Sequence, residues 1–402
     1  MMKVYILTDE PFPNGMAATN RIKCYARAIK EGGLDCEIVV CRRTEVYGKK
    51  AKNINGKGTF NGIPFHYMGG TPLRGSNVLI RQINDKIDAW RTKRYLRRNL
   101  QKGDVLFLYM ERQIKLVLLY MSIVHSKGAF CVRDLCELPF GTGSETGRAV
   151  RLRKITLEKQ FPSLDGIISI SDALLNLAKK YTLRSCEHIK VPILIDFDQY
   201  YIENKSENEN MPFIFHAGTL YEQKDGILGM IEAFGIASQK INVPLRFIST
   251  GNINNTHDYE REHIKSLIAK YHLEDKLFFT DYISNEQLKE YLSKALLVII
   301  NKYPTQQNEY CFSTKLGEYL AAAKPLIITN VGEAMNWLKD GKNAIVVESN
   351  DIEALANSII WVINNSERAK QLGLMGQELC RGSFDYHNWT KTIKDFLLKL
   401  NK

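Results

Sequence analysis

At 402 residues the chain is too long for one ordinary hydrophobic core, which predicts two domains, and its 45% apolar and 25% charged residues are typical of a soluble globular protein. No apolar run is long enough to cross a bilayer, since the longest, residues 116–124, is bracketed by Lys115 and His125. The net charge of +11 is uneven. Residues 1–200 hold 33 Lys and Arg against 19 Asp and Glu, a net of +14, which leaves 22 against 25, a net of −3, for residues 201–402.

Strands and helices alternate along the first half. Residues 4–8 form the predicted first strand, which indicates an N-terminus that is not a signal peptide, and a helix over about 19–31 follows. Further strands are predicted at 37–41, 105–109, 129–134 and 166–170. The polar run at 203–210, ENKSENEN, has the composition of a linker.

The same alternation restarts after the linker. Strands are predicted at 213–217, 245–249, 277–280, 297–300, 326–329 and 344–347, with helices at 226–238, 258–271, 285–293 and from 315. Such alternation is typical of parallel sheets with helices on both faces. The predicted fold class is therefore α/β, with two doubly wound, Rossmann-like domains facing across a cleft.

Residues 308–325, NEYCFSTKLGEYLAAAKP, are the most informative segment. Ser313 and Thr314 are good helix N-caps, Lys315 falls in the first turn, and Glu318 lies about one turn further in. Free backbone N–H groups, a lysine and two hydroxyls at a helix start favour binding of a diphosphate, and the carboxylate can accept hydrogen bonds from ribose or sugar hydroxyls. The alternative is an ordinary capped helix that packs alanines 321–323 on a sheet.

Two basic segments, 81–102 and 147–161, account for much of the positive charge of the first half. The first carries Arg91, Lys93, Arg94, Arg97 and Arg98, and its apolar residues Ile83, Ile87, Trp90, Tyr95 and Leu96 are roughly at helical spacing. This pattern predicts a basic amphipathic helix, which either attaches to an anionic membrane surface or is a solvated helix face. Neither segment has a recognisable nucleic-acid-binding motif, so nucleic acid is not an expected partner.

The eight cysteines carry no CxxC or Cys/His ligand spacing. They therefore predict free thiols in a reducing cytoplasm and no structural zinc site. Together with the basic helix, this favours a cytoplasmic protein with peripheral attachment to the inner face of the cell membrane.

Five segments, taken in order, resemble one family. They are PFPNGMAATNRIKCYARAIKEGG, with Gly15 after the first strand and Arg21 in the next helix, then FHAGTLYEQKDGILGMIEAF, LRFISTGN, LFFTDYISNEQLKEYLSKALLVII and STKLGEYLAAAKPLI. Their content and order are similar to those of family 4 retaining glycosyltransferases of the GT-B fold, of the bacterial polysaccharide and lipid-linked glycan type. The resemblance covers the whole chain.

The resemblance implies an acceptor-binding domain at 1–200, a donor-binding domain at 211–380, and a C-terminal helix at 381–402 that crosses back to the first domain. It implies a hexosyltransferase that moves a sugar from a nucleotide-diphosphate sugar to a glycan or lipid-linked acceptor, in cell-surface polysaccharide or glycoconjugate assembly. UDP-sugars are the first expectation and GDP-mannose the next. Retention of anomeric configuration, no cofactor and no required metal are also implied.

The implied residues follow the motifs. The implied catalytic residues are Lys224, Glu318 and Glu137. The implied donor-binding residues are Gly15, Gly218, Thr219, Lys224, Gly251, Tyr282, Glu309, Tyr310, Ser313, Thr314, Lys315 and Glu318. The predicted acceptor and membrane residues are Arg91, Arg94, Arg97 and Arg98.

The donor side departs from the family pattern at two places. Glu318 fits the second of two glutamates that are usually eight positions apart, but the eighth position back is Tyr310, and the nearest carboxylate is Glu309. The arginine that often follows the glycine near 218 is replaced by Thr219, which leaves Lys224 to supply most of that charge.

Two further positions bear on the site. Asp281 stands in a turn that usually contains glycine. For the acid that often lies near the acceptor, the segment VRDLCELPFGTG offers Asp134 and Glu137. Glu137 is preferred, with a surface or capping acid as its alternative role.

Two other functions remain open. A nucleotide-sugar epimerase shares this architecture but needs acid and base side chains around C2 of the sugar. The second is a non-catalytic relative that only binds nucleotide sugars. It remains open because the first glutamate and the arginine of the family pattern are missing. Release of nucleoside diphosphate from donor plus acceptor excludes the first, and slow hydrolysis of a nucleotide sugar excludes the second.

Overall fold

The computed structural model describes residues 2–110, 113–141, 146–201 and 211–401. The chain divides into two compact units, Met1–Ile195 with Tyr386–Lys402, and Asp196–Asp385. The predicted linker at 203–210 lies outside the described residues. Within the described ranges, no helix combines the length and the hydropathy that crossing a membrane requires.

The first unit is built on one eight-stranded sheet. Its strands are β1 Lys3–Thr8, β2 Asp35–Val40, β3 Lys57–Phe60, β4 Ile63–Tyr67, β5 Val105–Tyr109, β6 Phe130–Leu135, β7 Gly166–Ser169 and β8 Glu187–Lys190. They lie in the order β3-β4-β2-β1-β5-β6-β7-β8, and all pairs are parallel except β3 with β4. All five residues of β5 are buried, as an apolar run in a sheet covered on both faces must be.

In the described residues of this unit, five α-helices lie between consecutive strands. They are α1 Ala17–Glu31, α2 Val78–Asn99, α3 Ile114–Ser126, α4 Gly147–Ile155 and α5 Asp172–Tyr181. The predicted basic helix is α2, but its apolar residues divide. Leu96 is buried in the unit, whereas Ile83, Ile87 and Trp90 are exposed.

The second unit has the strand order of a Rossmann fold. Its strands are β9 Phe213–His216, β10 Arg246–Ser249, β11 Leu277–Phe279, β12 Leu297–Ile300, β13 Leu326–Thr329 and β14 Ile345–Val347. They are all parallel in the order β11-β10-β9-β12-β13-β14, so the direction of winding reverses between β9 and β12. Its helices are α6 Phe197–Tyr200, α7 Glu222–Asp225, α8 Ile227–Lys240, α9 Asp258–Tyr271, α10 Asn285–Lys294, α11 Gln306–Tyr310, α12 Lys315–Ala321, α13 Ile352–Asn364 and α14 Ser366–Ser383.

The last helix, α15 Thr390–Lys399, belongs to the first unit. Its buried residues are Ile393, Phe396 and Leu397, which join the apolar core around β1 and α1. A Cβ on Gly166 in β7 would lie only 2.7 Å from the ring of Phe396, so this glycine makes room for the helix. Ahead of the helix, the Tyr386 hydroxyl donates a hydrogen bond to Glu31 Oε1 at 2.7 Å.

Candidate functional site

The second sheet brings its polar strand ends together between β9 and β12. Doubly wound sheets bind ligands at the carboxyl ends of the strands where the winding reverses. Here β9 ends at His216 and continues into Gly218 and Thr219, while β12 ends at Ile300, two residues before Lys302. The fold therefore places these residues at the edge of the sheet where a ligand site is expected.

Asp225, the last residue of α7, organises this edge and is only 2% exposed. Its Oδ1 accepts hydrogen bonds from Lys315 Nζ at 2.6 Å and Lys302 Nζ at 3.2 Å. Its Oδ2 accepts from the backbone N of Thr219 at 2.9 Å and from the Thr219 hydroxyl at 2.7 Å. Burial alone would raise the pKa of Asp225, but the Lys315 and Lys302 ammonium groups hold it well below its usual range. The carboxylate is thus ionised and fixes two cations. We call these four residues, with His216, the Asp225 cluster.

Lys224 adds a third cation beside the Asp225 cluster. Its carbonyl accepts a hydrogen bond from Lys302 Nζ, and its side chain is half-buried. Burial lowers the pKa of Lys315, and the Lys302 and Lys224 ammonium groups add to this effect against the attraction of Asp225. Two ammonium groups on one carboxylate, with a third lysine acting on Lys315, leave excess positive charge, which suits a bound anion.

His216 is a neutral member of the Asp225 cluster. Burial lowers its pKa to about 3, with the Lys315 ammonium as a second cause. Its Nε2 lies 3.4 Å from Lys315 Nζ and its Nδ1 lies 3.3 Å from Ser249 Oγ. Since an ammonium can only donate, Nε2 is the acceptor and the ring proton resides on Nδ1, facing Ser249. The ring therefore orients Lys315 without adding charge.

Gly218 and α12 hold Lys315 in place. A Cβ on Gly218 would lie 2.3 Å from Lys315 Nζ and 2.6 Å from the His216 ring, so only glycine lets the lysine cross the strand end. In α12, the Tyr319 hydroxyl accepts a hydrogen bond from the backbone N of Ala217 at 2.6 Å, which ties the helix to the end of β9. The Lys315 ammonium thus has a fixed position.

Glu318 is half-buried one turn after Lys315. Burial raises its pKa to about 7, although the Tyr200 hydroxyl and the Lys315 charge act in the opposite direction. The Tyr200 hydroxyl donates to Glu318 Oε1 at 3.4 Å. The carboxyl group therefore changes protonation near neutral pH and can accept hydrogen bonds from ligand hydroxyls when it is ionised.

The start of α12 differs from its prediction. Thr314 is the N-cap residue, but it has helical backbone angles and its side chain makes no capping hydrogen bond, so the capping role predicted for Thr314 is wrong. The capping role predicted for Ser313 stays a prediction. The helix has seven residues and ends at Ala321, because Ala323 has a φ of 54°. The geometry of the site accordingly depends on lysine side chains, with little contribution from helix capping.

The turn in which Asp281 replaces the usual glycine has a left-handed backbone: the φ of Asp281 is 60°. Asp281 forms an isolated bridge with Gly251, whose φ is 112°. That backbone conformation favours glycine, and aspartate is one of the few other residues that tolerate it. The neighbouring Tyr282 is 55% exposed. Its role toward a donor stays a prediction.

Glu309 and Tyr310 both lie in the short helix α11. Glu309 is exposed and Tyr310 is half-buried. Which of the two replaces the first glutamate of the family pattern stays open.

In the first unit, Asp134 is committed to an internal ion pair. Arg21 Nε donates to Asp134 Oδ2 at 2.9 Å and Arg21 Nη2 donates to Oδ1 at 3.0 Å, while the Tyr25 hydroxyl donates to Oδ1 at 2.6 Å. All three residues are buried, so Asp134 has a structural role. Glu137, half-buried in the loop after β6, remains the candidate acid for the acceptor.

Gly15 has a structural reason to be glycine. A Cβ there would lie 1.9 Å from Thr19 Oγ1, the hydroxyl that donates to the Pro11 carbonyl at 2.7 Å. The turn itself therefore requires glycine at this position. Its predicted contact with a phosphate stays a prediction.

Sequence reasoning missed Asp225, Lys302 and His216 as parts of one site. Asp225 and Lys302 are separated by 77 positions, and only the sheet order brings them together. The sequence signal that could have found these three residues was their position relative to the predicted strands. Each residue lies at or just after the end of an apolar strand, or in the short segment that follows one.

Comparisons with known proteins find relatives for this part of the chain. Residues 198–378 match the family model for glycosyl transferases group 1. A 76-residue segment is 34% identical to an uncharacterized glycosyltransferase of Methanocaldococcus jannaschii, and it covers 19% of this chain and 20% of that protein. The chain thus spans about a fifth of the length of that curated relative.

Solved structures show the fold over the whole length. A sucrose-phosphate synthase from Thermosynechococcus elongatus is similar with a TM-score of 0.72 at 16% identity, covering 100% of this chain and 98% of that chain. The HepE protein of Anabaena in complex with UDP-glucose is similar with a TM-score of 0.70 at 14% identity, covering 98% of this chain and 99% of that chain.

The similarity to these structures defines the fold class of the chain. The fold is that of the GT-B glycosyltransferases, which confirms the prediction of two Rossmann-like α/β sheets. More particularly, residues 198–378 match the family model for glycosyl transferases group 1, and this match supports the prediction of a transferase enzyme.

Proposed function

We propose that the chain is a retaining, family 4 glycosyltransferase that moves a sugar from a nucleoside-diphosphate sugar to a glycan or lipid-linked acceptor. The observation that carries this proposal is the Asp225 cluster, which gathers Lys302 and Lys315 beside Lys224 at the winding reversal of the group 1 domain. A diphosphate is the anion that such a donor presents.

Charge explains how the Asp225 cluster acts. When the bond between the anomeric carbon and the diphosphate oxygen breaks, negative charge grows on the leaving diphosphate. Cations already held in position stabilise that charge without having to reorganise, and each such group contributes about 2–4 kcal/mol. Asp225 orients Lys302 and Lys315 before the donor arrives, and the diphosphate then competes with Asp225 for their protons.

Glu318 has a separate role in the proposal. Its carboxylate accepts hydrogen bonds from hydroxyls of the ribose or of the sugar, with Tyr200 fixing its orientation. Glu318→Gln keeps the shape of the side chain and its contact with Tyr200 but removes the charge. We expect this variant to fold normally and to bind the nucleotide sugar more weakly, as measured by calorimetry. If the folded variant bound the donor with full affinity, Glu318 would have only a structural role.

UDP-sugars are the favoured donors. Among similar solved structures, HepE of Anabaena is in complex with UDP-glucose, and the pneumococcal O-GlcNAc transferase GtfA is in complex with UDP and GlcNAc. GDP-mannose is the next candidate. The reaction is proposed to need no metal and no further cofactor, because the lysines take the part that a cation would otherwise play.

The first unit is proposed to bind the acceptor, with Glu137 as the nearby acid. The excess charge of +14 over residues 1–200 suits an acceptor held at an anionic membrane surface. A cytoplasmic enzyme attached to the inner face of the cell membrane, working in cell-surface polysaccharide or glycoconjugate assembly, combines these features.

The decisive test of sugar transfer is the release of free nucleoside diphosphate. Purified protein is incubated with UDP-sugars or GDP-mannose, with and without glycan or lipid-linked acceptors, and the released diphosphate is measured. Release that depends on the acceptor supports the proposal. Conversion of the donor sugar without release indicates an epimerase, and binding without hydrolysis or transfer indicates a non-catalytic relative.

A further inference from the structure

Helix α2 packs on the first unit through an unusual side. Its buried residues, spaced four apart, are Asp88, Thr92 and Leu96. The Thr92 hydroxyl donates to the Asp88 carbonyl at 2.7 Å, and Asp88 pairs with Arg43 at 3.5 Å. Tyr95 donates to Glu37 on β2. These contacts fix which side of the helix faces the unit.

The opposite side of α2 is apolar and exposed. Leu79 is 71% exposed, Ile83 58%, Ile87 37% and Trp90 56%. Their spacing of four, four and three residues places them on one face of an α-helix. A contiguous apolar face turned towards solvent marks an interaction surface.

The same face continues with positive charge. Arg94 and Arg97 lie one and two turns beyond Trp90 and are exposed, and the Arg94 guanidinium lies 5.4 Å from the centre of the Trp90 ring. Over its full length α2 has seven Lys and Arg and two Asp, a net of +5. We call Leu79, Ile83, Ile87, Trp90, Arg94 and Arg97 the outer face of α2.

The order of residues on the outer face selects the partner. The outer face begins with three aliphatic side chains, continues with Trp90 and ends with two arginines. This order matches the change from acyl chains to head groups at a bilayer surface. Arginine side chains can reach the phosphates while their stems cover apolar surface. The positive charge is complementary to anionic lipid.

We infer that α2 lies in the interface of an anionic lipid bilayer, with Leu79, Ile83, Ile87 and Trp90 inserted among the acyl chains and Arg94 and Arg97 at the head-group phosphates. This adds an inserted surface to the membrane attachment in the proposed function. It rests on the membrane attachment in the proposed function but not on the sugar-transfer chemistry, so insertion and sugar transfer can fail separately.

Vesicle flotation of the full-length protein tests the insertion. The vesicles contain phosphatidylcholine alone or equal parts of phosphatidylglycerol and phosphatidylcholine. Wild-type protein is expected to float with the anionic vesicles. Combining Leu79→Ser with Ile83→Ser should reduce that partitioning by about tenfold or more, although the net charge is unchanged.

Matched variants separate insertion from general stickiness and from charge. Leu183→Ser removes a leucine that is 58% exposed elsewhere on the first unit and should bind as wild type. Arg94→Glu with Arg97→Glu should abolish binding. Brominated lipids should quench tryptophan fluorescence in wild type, and Trp90→Phe should lose that quenching, because Trp90 is the inserted tryptophan.

Three results would overturn the inference. The first is equal flotation of wild type and the Leu79/Ile83 double variant, and the second is no flotation of wild type at low salt. The third is a wild-type dimer in sedimentation that the double variant breaks, since the outer face would then bind a second copy of the chain. Nucleotide binding, measured in parallel, should be unaffected by every variant named here.

Discussion

At the scale of single residues, the site is a balance between one buried carboxylate and several ammonium groups. The Asp225 carboxylate compensates the charges of Lys315 and Lys302, and the two ammonium groups in turn keep Asp225 ionised. Breaking a buried pair by removing one partner usually costs about 3–5 kcal/mol, because the other charge is left uncompensated. The same lysines are the proposed binding groups for a diphosphate, so stability and ligand binding are linked in the Asp225 cluster.

Asp225→Asn tests that linkage. We expect the free energy of unfolding of the unliganded protein to fall by about 3 kcal/mol. Added UDP should then stabilise the variant more than wild type, because the diphosphate supplies the missing negative charge. Thermal unfolding with and without UDP measures both effects. Glu290→Gln, which breaks the exposed pair with Lys294, is the control and should change stability by less than about 1 kcal/mol. A smaller UDP shift in Asp225→Asn than in wild type would contradict this view.

Lys224→Ala tests the role of the third cation. Loss of one preorganised charge should cost about 2–4 kcal/mol of transition-state stabilisation, read from kcat/KM with an accepted donor. Lys294→Ala, which removes a cation on an exposed pair of the same unit, should leave kcat/KM unchanged. Wild-type turnover by Lys224→Ala would remove this lysine from the mechanism.

Glu318 should make stability depend on pH in the direction opposite to an ordinary carboxylate. Its folded-state pKa of about 7 is above the usual 4.5, so the folded protein binds more protons than the unfolded chain between these values. Stability contributed by this group is therefore present at low pH and is lost as pH rises through about 7, by up to about 3 kcal/mol.

The matched variant for this effect is Glu318→Gln, which cannot ionise. Urea unfolding should show Glu318→Gln to be more stable than wild type near pH 8, and the difference should vanish near pH 4. A difference that is the same at both pH values would mean that the ionisation of Glu318 is not its source.

At the scale of elements, apolar runs were predictable and short polar strands were not. β5, β12 and β13 are buried at every position, and the sequence alone indicates them. The hairpin strand β3, KGTF, has three exposed residues out of four, and β8, EHIK, is half-buried throughout, so neither carries the apolar pattern of a central strand. They form because neighbouring strands offer hydrogen bonds.

The same contrast holds for the site and for α2. Lys315 and Glu318 were predictable because they share one helix start, whereas the partnership of Asp225 with Lys302 depends on sheet order. In α2 the helix was predictable from composition. The side that faces the unit was not, because polar Asp88 and Thr92 take the buried positions through specific partners.

The C-terminal helix offers a prediction at this scale. Phe396 in α15 is 4% exposed and packs in the core of the first unit, so Phe396→Ala should lower the free energy of unfolding by about 3–5 kcal/mol. Leu398→Ala, at a position 37% exposed on the same helix, should cost less than about 1 kcal/mol. Urea unfolding followed by tryptophan fluorescence, to which Trp389 at the edge of this core contributes, measures both. Equal effects would mean that α15 is not part of the core.

At the scale of the whole molecule, we propose different tasks for the two units. The first unit recruits the C-terminal segment from Tyr386 onwards, so the backbone passes between the units both near Ile195 and near Asp385. The sequence half with the excess of positive charge contains α2, and the other half contains the Asp225 cluster and nearly all of the segment that matches the glycosyl transferases group 1 model. This division supports a donor site in the second unit and an acceptor and membrane role in the first.

The central claim is that a nucleoside diphosphate binds at the Asp225 cluster. Calorimetric titration of UDP, with GDP, ADP and dTDP for comparison, into wild type, Lys315→Ala and the control Lys294→Ala tests it most directly. We expect UDP to bind wild type and Lys294→Ala equally and Lys315→Ala at least about tenfold more weakly, a loss of about 1.4 kcal/mol or more. Equal UDP affinity of Lys315→Ala and wild type, or no binding of any of the four nucleotides to wild type, would contradict the account.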